Sequence, residues 1–165
     1  MVLISLEGVD GSGKGTVIDR LEAELSEDAV FTREPSPVWT GEQVRRAINK
    51  DDSHPMADFH LFVADRAEHL KRKIGPALDE HKVVICDRYK DSTRAYQQDS
   101  IEPYIHGMSA DEYIENNMAW APEPAFTLLL DVDAETSVER TGERDKYEKK
   151  EFLEGVRQNY LDIYE

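Results

Sequence analysis

The sequence predicts an α/β fold: one domain built on a parallel sheet of about four strands, with helices on both faces and a short lid. Three observations carry this. Apolar runs of strand length alternate along the chain with stretches whose apolar residues fall at helical spacing. The run Val83-Val84-Ile85-Cys86 is rich in β-branched residues and unrelieved by polar ones, as the centre of a parallel sheet requires. The first apolar run, Val2 to Leu6, passes through a glycine-rich turn straight into an amphipathic helical pattern.

That turn is Glu7-Gly8-Val9-Asp10-Gly11-Ser12-Gly13-Lys14-Gly15-Thr16. Strand, glycine turn and helix in this order form a phosphate-binding loop of the P-loop NTPase type. Glycines let successive backbone N–H groups turn inward on an anion, and the helix N-terminus adds partial positive charge. Lys14 supplies a mobile cation for the outer phosphates of ATP, and a hydroxyl ligates Mg²⁺. The residue after the lysine is Gly15, with the hydroxyl one place later at Thr16, so phosphate binding is better supported than direct metal ligation. The expected ATP-binding set is Gly8, Asp10, Gly11, Ser12, Gly13, Lys14, Gly15 and Thr16, with Arg140 added from farther along the chain.

The remaining elements follow in order. Ala29 to Thr32 is the second strand, delivering Arg33-Glu34-Pro35-Ser36-Pro37 as a loop at the ligand-binding edge of the sheet. Thr40 caps a helix running to Ile48, and Pro55 opens the next one. Met56 to Ile74 is apolar on more than one side, which means burial in the protein or at a subunit contact; Gly75-Pro76 interrupts it. The central strand ends in Asp87-Arg88-Tyr89, placing an acid where Mg²⁺ or its waters would sit, although an aspartate there also caps turns. Asp91 to Gln98 is helical, and Ser109 caps Ala110 to Met118 with Glu112 at capping-box spacing. Phe126 to Val132 is the fourth strand, Ala134 to Arg140 a short helix, and Tyr147 to Tyr164 the last helix.

Composition bounds the function classes. The chain has 165 residues and a formal charge of −15, from 35 acidic against 20 basic residues. Such a surface repels nucleic acid, so the expected partners are small-molecule nucleotides, with basic residues concentrated at their site. The acidity is spread along the chain, as in adaptation to high salt; an ordinary acidic cytosolic protein is the alternative. No apolar run spans a bilayer and no leader is visible, so a soluble, unprocessed, cytoplasmic protein is expected. One cysteine, Cys86, excludes an internal disulfide and reads as a small buried hydrophobe. The five histidines show no metal-ligand spacing and are expected on surfaces or helix faces. Trp39 packs a loop or borders the acceptor site.

Four motifs resemble the thymidylate kinase family over nearly the whole chain: Leu6 to Lys14, Thr32-Arg33-Glu34-Pro35, Leu61-Phe62-Val63-Ala64-Asp65-Arg66, and Asp87 to Gln97. The resemblance implies transfer of a phosphoryl group from ATP to dTMP, with Mg²⁺, in a homodimer. Phe62 and Arg66 are four apart and share a helix face, where a ring can stack on a base beside a guanidinium; alone, Phe62 reads as core. The resemblance implies that this pair holds thymine and that Asp10 accepts from the sugar 3′-hydroxyl. It places Arg88 on the monophosphate, Ser92 and Thr93 at the pyrimidine edge, and Tyr96 where a 2′-hydroxyl would sit. Arg45 reaches the acceptor phosphate, with Arg33 competing, and Glu34, Pro35 and Gln97 complete the set. Lys14, Asp87, Arg88, Arg140 and Arg144 are the expected catalytic residues, with Thr16 and Asp87 on the metal. The glycine loop carries no extra base between Asp10 and Lys14, so the chain resembles members whose lid supplies arginines. The lid is expected at about 140–146, with core at 1–139 and 147–165; Arg140, Arg144 and Lys146 would neutralise transferring charge, or pair with neighbouring glutamates. Members of that family continue past Tyr160 with one more strand and helix. The chain stopping at Glu165 implies a truncated form or a minimal member, its adenine held by the lid and residues near Arg140.

Overall fold

The computed structural model describes residues 2–25, 28–50, 52–141 and 149–165. Four parallel strands form one sheet in the order β2-β3-β1-β4: β1 Val2–Glu7, β2 Ala29–Arg33, β3 Val83–Asp87 and β4 Phe126–Leu129. β2 and β3 lie on one side of β1 and β4 on the other, so the connections leaving β1 and β3 run in opposite directions, and the crevice at the carboxyl ends of those two strands is where such sheets bind ligands. In register, Leu6 lies opposite Asp87 on one side and Leu128 on the other. The loops after β1, β2 and β3 thus open at the same edge.

Eight α-helices among the described residues surround the sheet: α1 Lys14–Leu25, α2 Trp39–Ile48, α3 Pro55–His69, α4 Gly75–Asp79, α5 Lys90–Ile101, α6 Ala110–Met118, α7 Ala134–Thr141 and α8 Lys150–Tyr164. The side chains of Leu3, Val84 and Cys86 pack with Ile74 and Ala77, so α4 and the turn before it cover that part of the sheet. Val9, Ala95 and Ala134 pack with Leu153, Val156 and Tyr160 of α8. Phe59, Ile101, Ile114 and Met118 fill the space between α3, α5 and α6. Each cluster is built from the apolar stripe of an amphipathic helix, the arrangement that removes most apolar area from water.

Several expectations are corrected here. Thr40 is not a cap: α2 starts at Trp39, and the Thr40 hydroxyl donates to Asp65 Oδ1 at 2.8 Å. Gly75-Pro76 does not interrupt the long helix. Leu70–Ile74 form a π turn closed by Gly75 N–H on the Leu70 carbonyl, and α4 continues directly. Proline lacks an N–H and crowds the carbonyl four residues back, and a widened turn accommodates both defects. The buried residues of α3 are mostly polar: Asp58, Asp65, Arg66 and His69 join Phe59, while Ala57, Ala64 and Ala67 are exposed. Strand β4 stops at Leu129, three residues short of the expected end, and α5 runs three beyond it. Ser109 caps α6 as expected, accepting from Glu112 N–H at 3.1 Å. Most of the expected lid, with Gly142, Arg144 and Lys146, and the expected start of the last helix at Tyr147, lie outside the described residues. Among those described, no helix is long and apolar enough to cross a membrane.

Candidate active site

The glycine loop wraps the N-terminus of α1. Gly8, Gly11 and Gly13 take φ values of +136°, +73° and +100°, a region that side chains disfavour. At Gly8 space is also decisive, because a Cβ would sit 2.5 Å from the Leu130 carbonyl oxygen. Gly8 therefore lies behind the loop, while Asp10 to Val17 line a cavity together with Asp87, Leu130 and Arg140. Lys14 folds back over the loop, donating to the carbonyls of Gly8 at 2.9 Å and Val9 at 3.0 Å. Burial pulls its pKa down to about 8. Two bonds tie α7 to the loop: Arg140 Nη1 donates to Gly11 O at 2.8 Å, and Ser137 Oγ to Asp10 O at 2.6 Å. Gly15 and Thr16 are exposed at the cavity mouth.

A second cavity of about 330 Å³ adjoins the first, with Asp10 and Asp87 in both walls. Glu34, Pro35, Arg45, Phe62, Arg66, Arg88, Ser92, Thr93, Tyr96 and Gln97 line it, so every residue expected at the acceptor converges there. Arg33, Ile48 and Tyr89 also line it. Arg45 Nη1 donates to the carbonyls of Pro35 and Ser36 at 3.1 and 2.9 Å, so both candidate arginines reach this rim.

Arg88 sits at φ +68° where β3 ends, its N–H on the Leu6 carbonyl. Its guanidinium lies 4.8 Å above the Tyr96 ring and donates to Tyr96 Oη and Asp10 Oδ1, each at 3.0 Å. That cation, helped by Lys14, holds the Asp10 carboxyl below the usual carboxylate range. Arg66 is fully buried. It donates to Glu34 Oε2 from Nε at 3.0 Å and Nη2 at 2.6 Å, to the Tyr89 carbonyl at 2.8 Å and to Thr93 Oγ1 at 3.0 Å. Its Nη1 contacts the Met118 sulfur. A guanidinium has five N–H groups, so one donor of Nη1 remains for a ligand.

Asp87 Oδ1 is buried with no hydrogen-bond partner among the described residues. Asp87 lines both cavities and Thr16 the first, and carboxylate and hydroxyl oxygens fit the oxygen preference of Mg²⁺. Among the described residues no group of three or more histidine, cysteine, aspartate or glutamate side chains stands placed to hold a metal ion.

The sequence profile of thymidylate kinase matches residues 6–165. The chain belongs to the thymidylate kinase family. It is 42% identical over 160 residues to the probable thymidylate kinase of Halobacterium salinarum, covering 96% of this chain and 79% of that protein. It is 44% identical over 161 residues to the probable thymidylate kinase of Halorubrum lacusprofundi, covering 96% and 81%. The crystal structure of thymidylate kinase from Ehrlichia chaffeensis superposes with a TM-score of 0.75 at 32% identity, covering 98% of this chain and 85% of that one.

In this thymidylate kinase family member, three polar residues without an expected role support the lining. Asp65 is buried and accepts from Ser36 N–H at 2.7 Å, Ser36 Oγ at 2.5 Å and Thr40 Oγ1 at 2.8 Å, pinning the loop after β2 to α2 and α3. Gly41 makes that contact possible, since a Cβ there would meet the Ser36 carbonyl at 2.0 Å. His69, expected on a surface or helix face, is fully buried: Nε2 lies 2.7 Å from Thr32 Oγ1 and Nδ1 3.2 Å from Glu34 Oε1. Its spacing of three from Arg66, which puts both on one helix face, was the available signal. Glu7 lies buried beneath Arg88. Trp39 is 59% exposed and lines neither cavity, which removes it from the acceptor site.

Proposed function

We propose that the protein transfers the γ-phosphoryl group of ATP to dTMP, giving dTDP and ADP for deoxythymidine triphosphate synthesis. The observation that carries this reading is the pair of adjoining cavities, one floored by the glycine loop and one by Arg88, with Asp10 and Asp87 common to both. Two phosphate chains entering from opposite sides meet end to end at that wall, and in phosphoryl transfer alignment and charge neutralisation supply most of the rate.

The roles follow from placement. Lys14 leaves the loop carbonyls for the outer phosphates of ATP, and Arg88, braced by Asp10 and Tyr96, receives the monophosphate. Asp10 accepts from the sugar 3′-hydroxyl. Phe62 stacks on thymine, the remaining Arg66 donor meets a base carbonyl, and Tyr96 excludes a 2′-hydroxyl. Thr16 and Asp87 hold Mg²⁺, which would supply charge neutralisation at the transferring group. Arg140, already bonded to the loop, adds to that charge from a short lid at about 140–146, joined by Arg144. We further infer a homodimer, supported by the exposed Trp39 of α2 and the exposed alanines of α3, and a reducing compartment, supported by the lone buried Cys86.

A coupled ADP-release assay over dTMP, dUMP, dCMP, dGMP and thymidine tests the reading. The expected result is turnover with dTMP far above the others; turnover led by another acceptor, or nucleotide binding without turnover, overturns it. Lys14→Ala and Arg88→Ala are each expected to retain less than about 1% of kcat with an unchanged circular dichroism spectrum. Sedimentation at micromolar concentration tests the dimer.

A further inference from the structure

Beneath the guanidinium of Arg88 three oxygens form a triangle. Glu7 Oε2 lies 2.5 Å from Ser92 Oγ and 3.1 Å from Tyr160 Oη, and the two hydroxyls are 2.8 Å apart. Arg88 Nη1 points down onto the same hydroxyls, 3.2 Å from Ser92 and 3.4 Å from Tyr160. The other Glu7 oxygen accepts the Tyr89 N–H at 2.8 Å.

The proton count of this triangle is uneven. Each hydroxyl carries one proton, so two protons serve three oxygen–oxygen contacts when Glu7 is ionised. One contact is then a bare approach of two lone pairs at 3.1 Å or less, whichever of the three it is. A proton on Glu7 completes a ring in which Glu7 donates to Tyr160, Tyr160 to Ser92 and Ser92 to Glu7. Both hydroxyls keep a lone pair for Arg88.

The surroundings favour the same state. Glu7 is fully buried at the end of β1, and among the described residues no lysine, arginine or histidine forms an ion pair with it. The turn after β3 presents Arg88; α5 presents Asp91 and Tyr96 beside Ser92; α8 presents Tyr160, with Tyr164 farther out. Lys14 of α1, Arg66 of α3 and Cys86 of β3 also feel the Glu7 charge, and Asp10 and Asp87 face the same Arg88 and Lys14. Burial raises the Glu7 pKa to about 7, with the nearby Asp91 charge adding to it, against the lowering effect of the Ser92 hydrogen bond and Arg88.

We propose that Glu7 is a positioning residue: it shares a proton with Ser92 and Tyr160, sets the Arg88 guanidinium through those two hydroxyls, and fills that proton position when the acceptor phosphate docks. This rests on the reading that Arg88 receives the monophosphate. A dianionic phosphate on Arg88 adds negative charge on the far side of one guanidinium from Glu7. At about 8 Å and an effective permittivity of about 20, each unit charge raises a carboxyl pKa by about one unit or more. The proton comes from bulk solvent in an equilibrium linked to ligand binding, and no bond of the substrate is altered.

Isothermal titration of dTMP into the full chain at pH 7.5, in buffers of different ionisation enthalpy, reads the protons taken up. With a pKa of about 7 for Glu7 and a second phosphate pKa of about 6, free dTMP is almost wholly dianionic there and Glu7 about a quarter protonated. The expected uptake is therefore a substantial fraction of one proton, up to about three quarters, for wild type. Thymidine, lacking the phosphate, takes up none. Glu7→Gln loses the uptake with dTMP, because an amide keeps the shape and does not titrate. Binding of dTMP without uptake overturns the proposal, as does a Glu7→Gln protein that retains it, which would assign the proton to Lys14. If dTMP binds no tighter than thymidine, the placement of the phosphate on Arg88 falls, and this inference with it. A measurement on wild type alone keeps the question decidable if the variant does not fold: in protein with ¹³C-labelled glutamate, the infrared carbonyl band of a neutral glutamic acid grows on dTMP binding. No growth overturns the proposal.

Discussion

Replacing Arg66 with methionine tests how the acceptor pocket is held in shape. The change keeps an unbranched apolar stem and deletes the cation that Glu34 faces, with Arg66 and Glu34 side chains 1% and 5% exposed. Removing one partner of a buried ion pair costs about 3–5 kcal/mol, because the other charge stays behind without compensation. Here His69 remains 3.2 Å from the other Glu34 oxygen, which places the loss near the lower end, about 3 kcal/mol. For a domain of this size that lowers Tm by about 6–12 °C. Urea denaturation followed by circular dichroism measures it, with Glu34→Gln/Arg66→Met alongside. With both charges gone the penalty of an unpaired buried carboxylate disappears, so the double variant is expected to recover at least about half of the loss. Its dTMP affinity is expected to stay low, since the donor to the base is still missing. A loss below about 1 kcal/mol for Arg66→Met, or a double variant as unstable as the summed singles, refutes the electrostatic account. Full recovery of dTMP affinity in the double variant refutes base recognition by Arg66.

Three further expectations are independent of that one. Gly41→Ala drives a methyl into the Ser36 carbonyl at 2.0 Å and should lower stability by about 3 kcal/mol or more. By contrast Gly155→Ala, whose nearest neighbour is Asp99 Oδ2 at 3.8 Å, should raise stability by about 0.5–1 kcal/mol; thermal shifts of the same sign would refute the contrast. Because burial depresses Lys14 to about 8, kcat/KM for ATP should fall above that pH as the ammonium is lost, and a profile flat to pH 10 counts against the role. The same depression leaves the folded state with fewer protons than the unfolded one between about 8 and 10.5, so this group makes stability rise with pH across that window. Finally, with a formal charge of −15, the midpoint of urea unfolding should rise as KCl increases from about 0.1 to 1 M and the screening length shrinks from about 10 to 3 Å. Full stability in dilute buffer would remove the salt reading.

What the chain reveals before it folds, and what it hides, divides along a physical line. Backbone requirements are visible: the glycines at positive φ, the apolar run of β3 and Ser109 ahead of α6 each name a residue type that only one local geometry wants. The acceptor lining was legible through resemblance: the Leu61 to Arg66 and Asp87 to Gln97 motifs are similar to those of the thymidylate kinase family, whereas spacing alone puts Phe62 and Arg66 on one helix face and leaves Phe62 a core residue. Burial of polar groups is not visible in this way. Asp65, His69 and Glu7 look like solvated side chains in the pattern, and only partners distant in sequence (Ser36, Thr32 and Glu34, Tyr160) make their burial affordable. Thr40 misled for the same reason, offering a cap nearby while its hydroxyl had a carboxylate twenty-five positions away. Gly75-Pro76 misled because a missing N–H ends most helices, and whether a wider turn absorbs it depends on what lies beyond.

The π turn at Leu70–Ile74 acts as a change of reading frame within one continuous rod. Ahead of it Arg66 lines the pocket while Asp65 and His69 hold Ser36, Thr32 and Glu34 behind it; past it Ile74 and Ala77 are packed with Leu3 and Val84. Each residue of a regular helix advances the aim by about 100°, so dropping one residue from the turn would swing everything after it by that angle. A shortened chain could keep its helical content and still point Ile74 away from the sheet. One surplus residue therefore lets a single helix serve the chemistry at one end and the core at the other.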